Sequence, residues 1–254
     1  MAREAEAPAD AFGRTAREYE LGRPEWPEEL LDRVIADLEL GRDATVLDLG
    51  AGTGKLTRAL VPRFARVHAV EPDDAMRAVL EEVVPAAESR AGRAEAIPLV
   101  DDEVDAVFSG EAFHWFASRR TLEEIERVLR PRGAFAIFWN IFDGHLEPEL
   151  SEEADAVIEE AFRRGGAPGL PRVLSGEWRE PFEGSAFEGL REAEIEREVV
   201  NDREAWIANL LSVSSIAGQS AKARAAFADR LRRLVPEGEM RRRFRTVAYW
   251  TRLA

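Results

Sequence analysis

The stretch Thr45-Val-Leu-Asp-Leu49, followed at once by Gly50-Ala-Gly-Thr-Gly54, constrains the fold of this chain more than any other part. A short, nearly continuous apolar run of this kind is the pattern of a strand buried on both faces, as in parallel sheets. Leu56, Ala59, Leu60 and Phe64 then recur at helical spacing. The glycines between strand and helix allow a tight turn, and they let a ligand reach the backbone and the N–H groups that open the helix.

The alternation repeats along the chain. Leu30, Leu31, Val34, Ile35 and Leu38 form an apolar helical face after Pro27, a residue well suited to a helix start, and Gly41 closes that helix. Arg66–Val70 reads as a strand, and Asp73–Val84 as a helix capped by Asp73 or Asp74. Val104–Phe108 is the next strand, Thr121–Leu129 a helix stopped at Pro131-Arg-Gly133, and Ala134–Trp139 another strand. Leu150–Arg164 is a further helix. The tail offers strands at Glu194–Val200 and Arg243–Leu253, with helices at Arg203–Leu211 and Ala221–Leu234 between them. Strand and helix in this order make βαβ units, a mostly parallel sheet and helices on both faces. Residues 165–189, rich in Gly and Pro, with Trp178, Phe182 and Phe187 interspersed, read as a long loop serving as a cap or lid.

Composition narrows the function. A chain of 254 residues buries roughly 75% of its unfolded surface, enough for one α/β domain with an insertion. With no cysteine there is no disulfide, thiolate zinc site or cysteine nucleophile, and a cytoplasmic setting is expected. The net charge of −14 repels phosphate backbones, which argues against nucleic acid. The acidic start from Met1 to Asp10 lacks a signal-peptide pattern, and no apolar run is long enough to suggest a membrane span.

The glycine turn separates three ligand classes. A P-loop fails twice, because Leu49 stands where its first glycine belongs and Leu56 where its Ser/Thr belongs. The dinucleotide fingerprint is disfavoured, since the third glycine comes one residue early. A nucleoside without phosphate remains, held by the turn and by an acid at the end of the second strand, where Glu71 stands ready to accept from both ribose hydroxyls.

Several segments in order resemble the class I S-adenosylmethionine-dependent methyltransferases, in the small-molecule subgroup that includes ubiquinone-pathway and trans-aconitate methyltransferases. They are Val46-Leu-Asp-Leu-Gly-Ala-Gly-Thr-Gly54, Ala69-Val-Glu-Pro72 with Met76, Ala94-Glu-Ala-Ile-Pro98, Ala112-Phe-His-Trp-Phe116 and Arg127-Val-Leu-Arg-Pro-Arg-Gly133. Tyr19-Glu-Leu-Gly-Arg-Pro-Glu-Trp-Pro27 is similar to a Tyr-x-x-x-Arg-Pro-x-Tyr-Pro segment of the same subgroup, with Trp26 in place of its second Tyr. The resemblance implies a Rossmann-like, doubly wound seven-stranded sheet. Such a sheet is mostly parallel with a C-terminal antiparallel hairpin, here joined by an N-terminal helical lid and a cap insertion.

The division along the chain would be 1–40 lid and helix, 41–140 cofactor-binding core, 141–190 cap, and 191–254 the C-terminal part of the sheet and helices. By the same resemblance, Gly50, Ala51 and Gly52 line the methionine moiety of S-adenosylmethionine, and Glu71 binds its ribose. Pro72 and Met76 flank the adenine, and the Ala94 backbone reads its edge. Glu95 stands in for an acid that Arg93 replaces. The Gly110 carbonyl receives the amino group, and Tyr19 and Arg23 close over the carboxylate. The segment Phe12–Trp26 is expected to be a mobile lid.

Methyl transfer from a sulfonium is an in-line displacement that rewards alignment, worth about 7–11 kcal/mol, over covalent catalysis. A hydroxyl acceptor would also need a base, for which His114 is the candidate; packing in the pocket wall is its plainer role. His68 reads as a core or sheet histidine and His145 as a loop residue, so no metal site is expected. The charge and the cap favour a small-molecule acceptor. An NAD(P)-dependent oxidoreductase and an inactive cofactor-binding module are the alternatives, and neither accounts for the segments at Ala112–Phe116 and Arg127–Gly133.

Overall fold

A computed structural model describes residues 15–165 and 169–254. Its centre is a seven-stranded sheet in the order β3-β2-β1-β4-β5-β7-β6. β1 (Thr45–Leu49), β2 (Arg66–Val70), β3 (Glu88–Arg90), β4 (Val104–Gly110) and β5 (Leu129–Glu147) run parallel. β7 (Glu239–Arg252) enters antiparallel between β5 and β6 (Arg191–Asp202). The expected C-terminal antiparallel pair is thus present. Its two strands are joined by three helices, where two were read, and both strands begin earlier than their read spans.

Before β1 come α1 (Ala16–Gly22) and α2 (Glu28–Asp37). α3 (Lys55–Leu60) follows the glycine turn, and α4 (Asp74–Val83) follows β2. The Asp73 side chain caps α4, accepting from the N–H groups of Ala75 and Met76. After β4 come the short α5 (Phe113–Phe116) and α6 (Arg119–Val128), the latter capped by Ser118. α7 (Glu152–Gly165), α9 (Arg203–Leu211), α10 (Ser214–Ala217) and α11 (Ala221–Leu234) bury one another's apolar faces in a separate helical cluster that also takes in Met240.

Alternation in the strands divides the sheet residues between two cores. Leu47, Leu49, Phe135, Ile137, Trp139 and Val247 face α5, α6 and the cap, while Val46, Phe108, Phe138, Ala248 and Trp250 face α2 and α3. With both faces covered, β1 has no solvated side, which is why its sequence is apolar almost throughout.

One reading needed revision. The segment at 165–189 is not one long loop: it holds α8 (Gly169–Ser175) and a 3₁₀ helix (Glu177–Phe182), with residues 166–168 outside the described part. Trp178 and Phe182 anchor it by packing on Phe113 and Phe135, so the aromatic content outweighs the Gly and Pro content. The expected lid is a helix from Ala16, with residues 12–14 outside the described part.

Candidate active site

The glycine turn lies at the carboxyl ends of β1 and β4, beside the acidic end of β2. Gly50 and Ala51 donate their N–H groups to the Val70 carbonyl at 2.9 and 3.1 Å, which folds the turn back on β2. Glu71 is buried, and its carboxylate ties the two segments together: Gly52 N donates to Oε2 at 2.8 Å and Asp73 N to Oε1 at 2.9 Å. Burial pushes its pKa up, against the pull of those two hydrogen bonds. Each oxygen keeps a second lone pair for another donor.

Gly50 and Gly52 both adopt positive φ, +73° and +56°, but for different surroundings. A Cβ on Gly50 would stand 2.7 Å from that of Ala112, so Gly50 lets the β4–α5 loop close on the turn. Among the described residues a Cβ on Gly52 would meet nothing within 4 Å, so that face is open to a ligand. At Gly110 a Cβ would strike the Trp26 ring at 2.7 Å, which explains how the segment ahead of α2 reaches the carboxyl end of the central strand β4.

Three carboxylates gather here, two of which sequence reasoning passed over. Asp48, fully buried on β1, accepts from Thr57 Oγ1 at 2.6 Å through Oδ2, while its Oδ1 has no partner among the described residues. Burial is the main cause lifting its pKa to about 7. A lone acid inside an apolar strand was the available signal. Glu111, at φ +58°, accepts from Asn140 N at 2.7 Å, and burial pushes its pKa up despite nearby Arg23. Tyr19 is held neutral mainly by burial, in the field of Arg23, Glu111, Glu71 and Asp48.

Of the adenine candidates, Met76 and Ala94 are buried while Pro72 and Glu95 are exposed. Arg23 stacks on Tyr19, 5.1 Å from the ring centroid, and donates to Ser212 Oγ at 3.1 Å. His114 is buried, and Trp139 Nε1 donates to its Nδ1 at 3.0 Å. An indole nitrogen can only donate, so the imidazole proton sits on Nε2. Burial, with help from Arg172 and Arg23, depresses the His114 pKa to about 3. Among the described residues no group of three or more His, Cys, Asp or Glu is arranged to hold a metal ion.

Comparison with known proteins places the chain in one family. The methyltransferase-domain family matches residues 47–137, which run from β1 through the glycine turn and Glu71 into β5. An uncharacterized methyltransferase of Schizosaccharomyces pombe is 35% identical over 187 residues, covering 72% of this chain and 71% of that protein. The chain belongs to the class I S-adenosylmethionine-dependent methyltransferases. An uncharacterized methyltransferase of Mycobacterium tuberculosis is 43% identical to this methyltransferase over 136 residues, 54% of each chain. The structure of a putative type II methyltransferase from Anaeromyxobacter dehalogenans is 26% identical with a TM-score of 0.63, over 91% of this chain and 97% of that one. The methyl donor of this family is S-adenosylmethionine, and no described helix of this methyltransferase is long and apolar enough to cross a membrane.

Proposed function

We propose that the chain transfers a methyl group from S-adenosylmethionine to a small-molecule acceptor in the cytoplasm. The observation that carries this reading is the Glu71 carboxylate fixed against Gly52, beside a backbone face that is open where a Cβ would stand. The residues present fit the cofactor. Glu71 retains lone pairs for the ribose hydroxyls, and Met76 and Ala94 supply buried surface for the adenine, with Pro72 and Glu95 at its exposed margin. Gly50, Ala51 and Gly52 would present backbone to the methionine part, and Asp48 Oδ1, unpartnered among the described residues, would receive its ammonium together with the Gly110 carbonyl. Tyr19 and Arg23 cover the carboxylate from α1. Residues 1–40 then serve as lid and helix, 41–140 as the cofactor core, 141–190 as the cap, and 191–254 as the rest of the sheet and its helices.

When bound, the cofactor supplies an electrophilic methyl group on a sulfonium. The chain's part is to align it and keep water out, with the acids Asp48, Glu71 and Glu111 suited to a cationic ligand. His114 enters as a donor through Nε2–H, because its other nitrogen is occupied by Trp139.

Calorimetry with S-adenosylhomocysteine tests the reading. The intact chain should bind in the micromolar range, and Glu71→Ala should weaken binding tenfold or more, about 1.4 kcal/mol, in keeping with a lost charge-assisted hydrogen bond. No binding by the intact chain would overturn it.

A further inference from the structure

The end of α9 carries a chain of polar contacts that runs from β7 to α1. Ser212, buried just past the last turn of α9, donates its hydroxyl to the Asn209 carbonyl at 2.7 Å. The only hydrogen of that hydroxyl is thereby spent, so toward any other neighbour Ser212 Oγ can only accept. Arg23, the residue that ends α1, supplies the donor: its Nε reaches Ser212 Oγ at 3.1 Å and its Nη2 the Ser212 carbonyl at 3.4 Å.

These contacts use particular parts of the guanidinium. Nε and Nη2 form one side of its fork, and Ser212 takes both. The Tyr19 ring lies against a face, 5.1 Å from the guanidinium carbon to the ring centroid. The end of the fork, Nη1 with the remaining hydrogen of Nη2, has no hydrogen-bond partner among the described residues, and no described carboxylate pairs with Arg23. In a chain of net charge −14, the supply of carboxylates is not what limits that pairing.

Behind Ser212 the chain continues into the sheet. Asn209 Oδ1 accepts from Arg242 Nη1 and Asn201 Oδ1 from Arg242 Nη2, both at 2.7 Å, so one guanidinium on β7 ties the last turn of α9 to the end of β6. Arg242 is 2% exposed and meets no carboxylate among the described residues. Burial is the main cause lowering its pKa to about 10, and the charge of Arg23 adds to it. A methionine would fill the same space without a buried charge. What the arginine alone supplies is a pair of directed hydrogen bonds, and with them a fixed Asn209. α1 rests on that same residue, since a Cβ on Gly22 would stand 2.1 Å from Asn209 N.

We propose that Ser212, Asn209 and Arg242 are positioning residues for the cofactor, holding Arg23 by one side so that the open end of its guanidinium meets the carboxylate of the methionine part. This deepens the methyltransferase reading and rests on it, in particular on Arg23 as partner of that carboxylate. The end of a guanidinium fork and a carboxylate match through two parallel N–H···O bonds, which only a correctly turned arginine can make. A side chain already fixed on one face and one side has little freedom left to lose when the ligand arrives, so more of the contact appears as affinity. None of the three residues touches the ligand in this assignment; each acts through Arg23.

The test compares two ligands by calorimetry: S-adenosylhomocysteine, and methylthioadenosine, which keeps the nucleoside and thioether but lacks the ammonium and the carboxylate. The intact protein should bind both, the first tenfold or more tighter, and Arg23→Ala should remove most of that preference. Ser212→Ala and Arg242→Met should each weaken S-adenosylhomocysteine threefold or more while changing methylthioadenosine less than twofold, and Ser212→Thr, which keeps the hydroxyl, should restore the preference. Retained methylthioadenosine binding shows that a variant is folded, and Ser212→Ala carries the test should Arg242→Met not fold. In an Arg23→Ala background, Ser212→Ala should have no further effect, because it acts only through that arginine. Equal losses for both ligands would mean a merely structural role and would overturn the proposal, as would unchanged S-adenosylhomocysteine affinity in Ser212→Ala or a further loss in the double variant. A preference that survives Arg23→Ala would strike the assignment of Arg23 and the proposal with it. Uptake of neither ligand by the intact protein would strike the cofactor reading itself, and the proposal falls with that too.

Discussion

Asp48→Asn should make the protein more stable at neutral pH and a poorer binder of its cofactor. The carboxyl rises from 3.8 to about 7 on folding because it is sealed between β1 and α3 with one oxygen unpaired. Folding therefore takes up a proton between these values, and stability falls as pH rises from about 4 to about 7, then levels off. A shift of about three pKa units corresponds to about 4 kcal/mol, at 1.36 kcal/mol per unit, of which about 3 kcal/mol falls between pH 4.5 and 8. For a chain of this length, that is roughly 6–12 °C in Tm. The assay is urea or thermal unfolding of both proteins across this pH range. His114, depressed on folding, contributes the opposite slope below its ordinary value of 6.5, but it is present in both proteins and cancels in the difference.

The two stability curves should converge below about pH 3.8, with the variant about 1 kcal/mol ahead at pH 4.5 and about 4 kcal/mol ahead at pH 8. In calorimetry at pH 8 the same variant should lose tenfold or more in S-adenosylhomocysteine affinity, because the ammonium loses its charged partner. Curves parallel within about 0.5 kcal/mol would refute the reasoning, since surface-like substitutions stay inside that margin. A stable variant with undiminished affinity would show that the buried charge serves something other than the ligand.

His114→Gln should keep activity within about tenfold, because the amide can both accept from Trp139 and donate, whereas loss of a general base typically costs 10²–10⁴-fold. His114→Phe, measured by urea unfolding, should cost about 1–3 kcal/mol by leaving the Trp139 N–H unsatisfied. Glu20 accepts from Thr53 Oγ1 and Arg58, both at 2.8 Å, so Glu20→Ala should speed hydrogen exchange across residues 15–26 in the free protein. S-adenosylhomocysteine should restore protection there, and equal, strong protection with and without ligand would mean a permanently docked helix.

The sequence was most legible where a residue's neighbours in space are also its neighbours in the pattern. β1 and β2 have the bounds read from their apolar runs, as do α9 and α11, because burial on a regular face leaves a regular trace. β3 left none: Glu88-Ser-Arg90 is a short polar edge strand whose Glu88 takes a bidentate contact from Arg66 at 2.6 and 2.9 Å. β5 was read as ending at Trp139, where its apolar run stops, although the strand continues through Asp143-Gly-His145 to Glu147, still paired with β7. In the site, the glycine turn and Glu71 were legible because backbone approach demands particular residues at particular places. Arg242 was not. It sits in Arg241-Arg-Arg243, which reads as a solvated charge run, and only the alternation of β7 turns the middle arginine inward while Arg241 pairs outside with Glu198 and Glu239.

α1 bridges the glycine-turn side of the sheet and the C-terminal helices. Tyr19 and Arg23 lie one turn apart on the same face, Tyr19 among the acids at the glycine turn and Arg23 against Ser212 at the end of α9. The helix is held from both sides: Glu20 and, just beyond it, Glu25 contact Lys55 and Arg58 of α3, while Glu18 reaches Arg224 of α11. Gly22 lies so close to α9 that a Cβ would stand 2.1 Å from Asn209 N, leaving no room for the helix to slide there without moving α9 as well. Any displacement of α1 thus moves Tyr19 and Arg23 together with α9. If α1 orders when S-adenosylhomocysteine binds, the linkage is reciprocal, so a variant that loosens α1, such as Glu20→Ala, should weaken S-adenosylhomocysteine by the same free energy that ligand binding spends on ordering the helix.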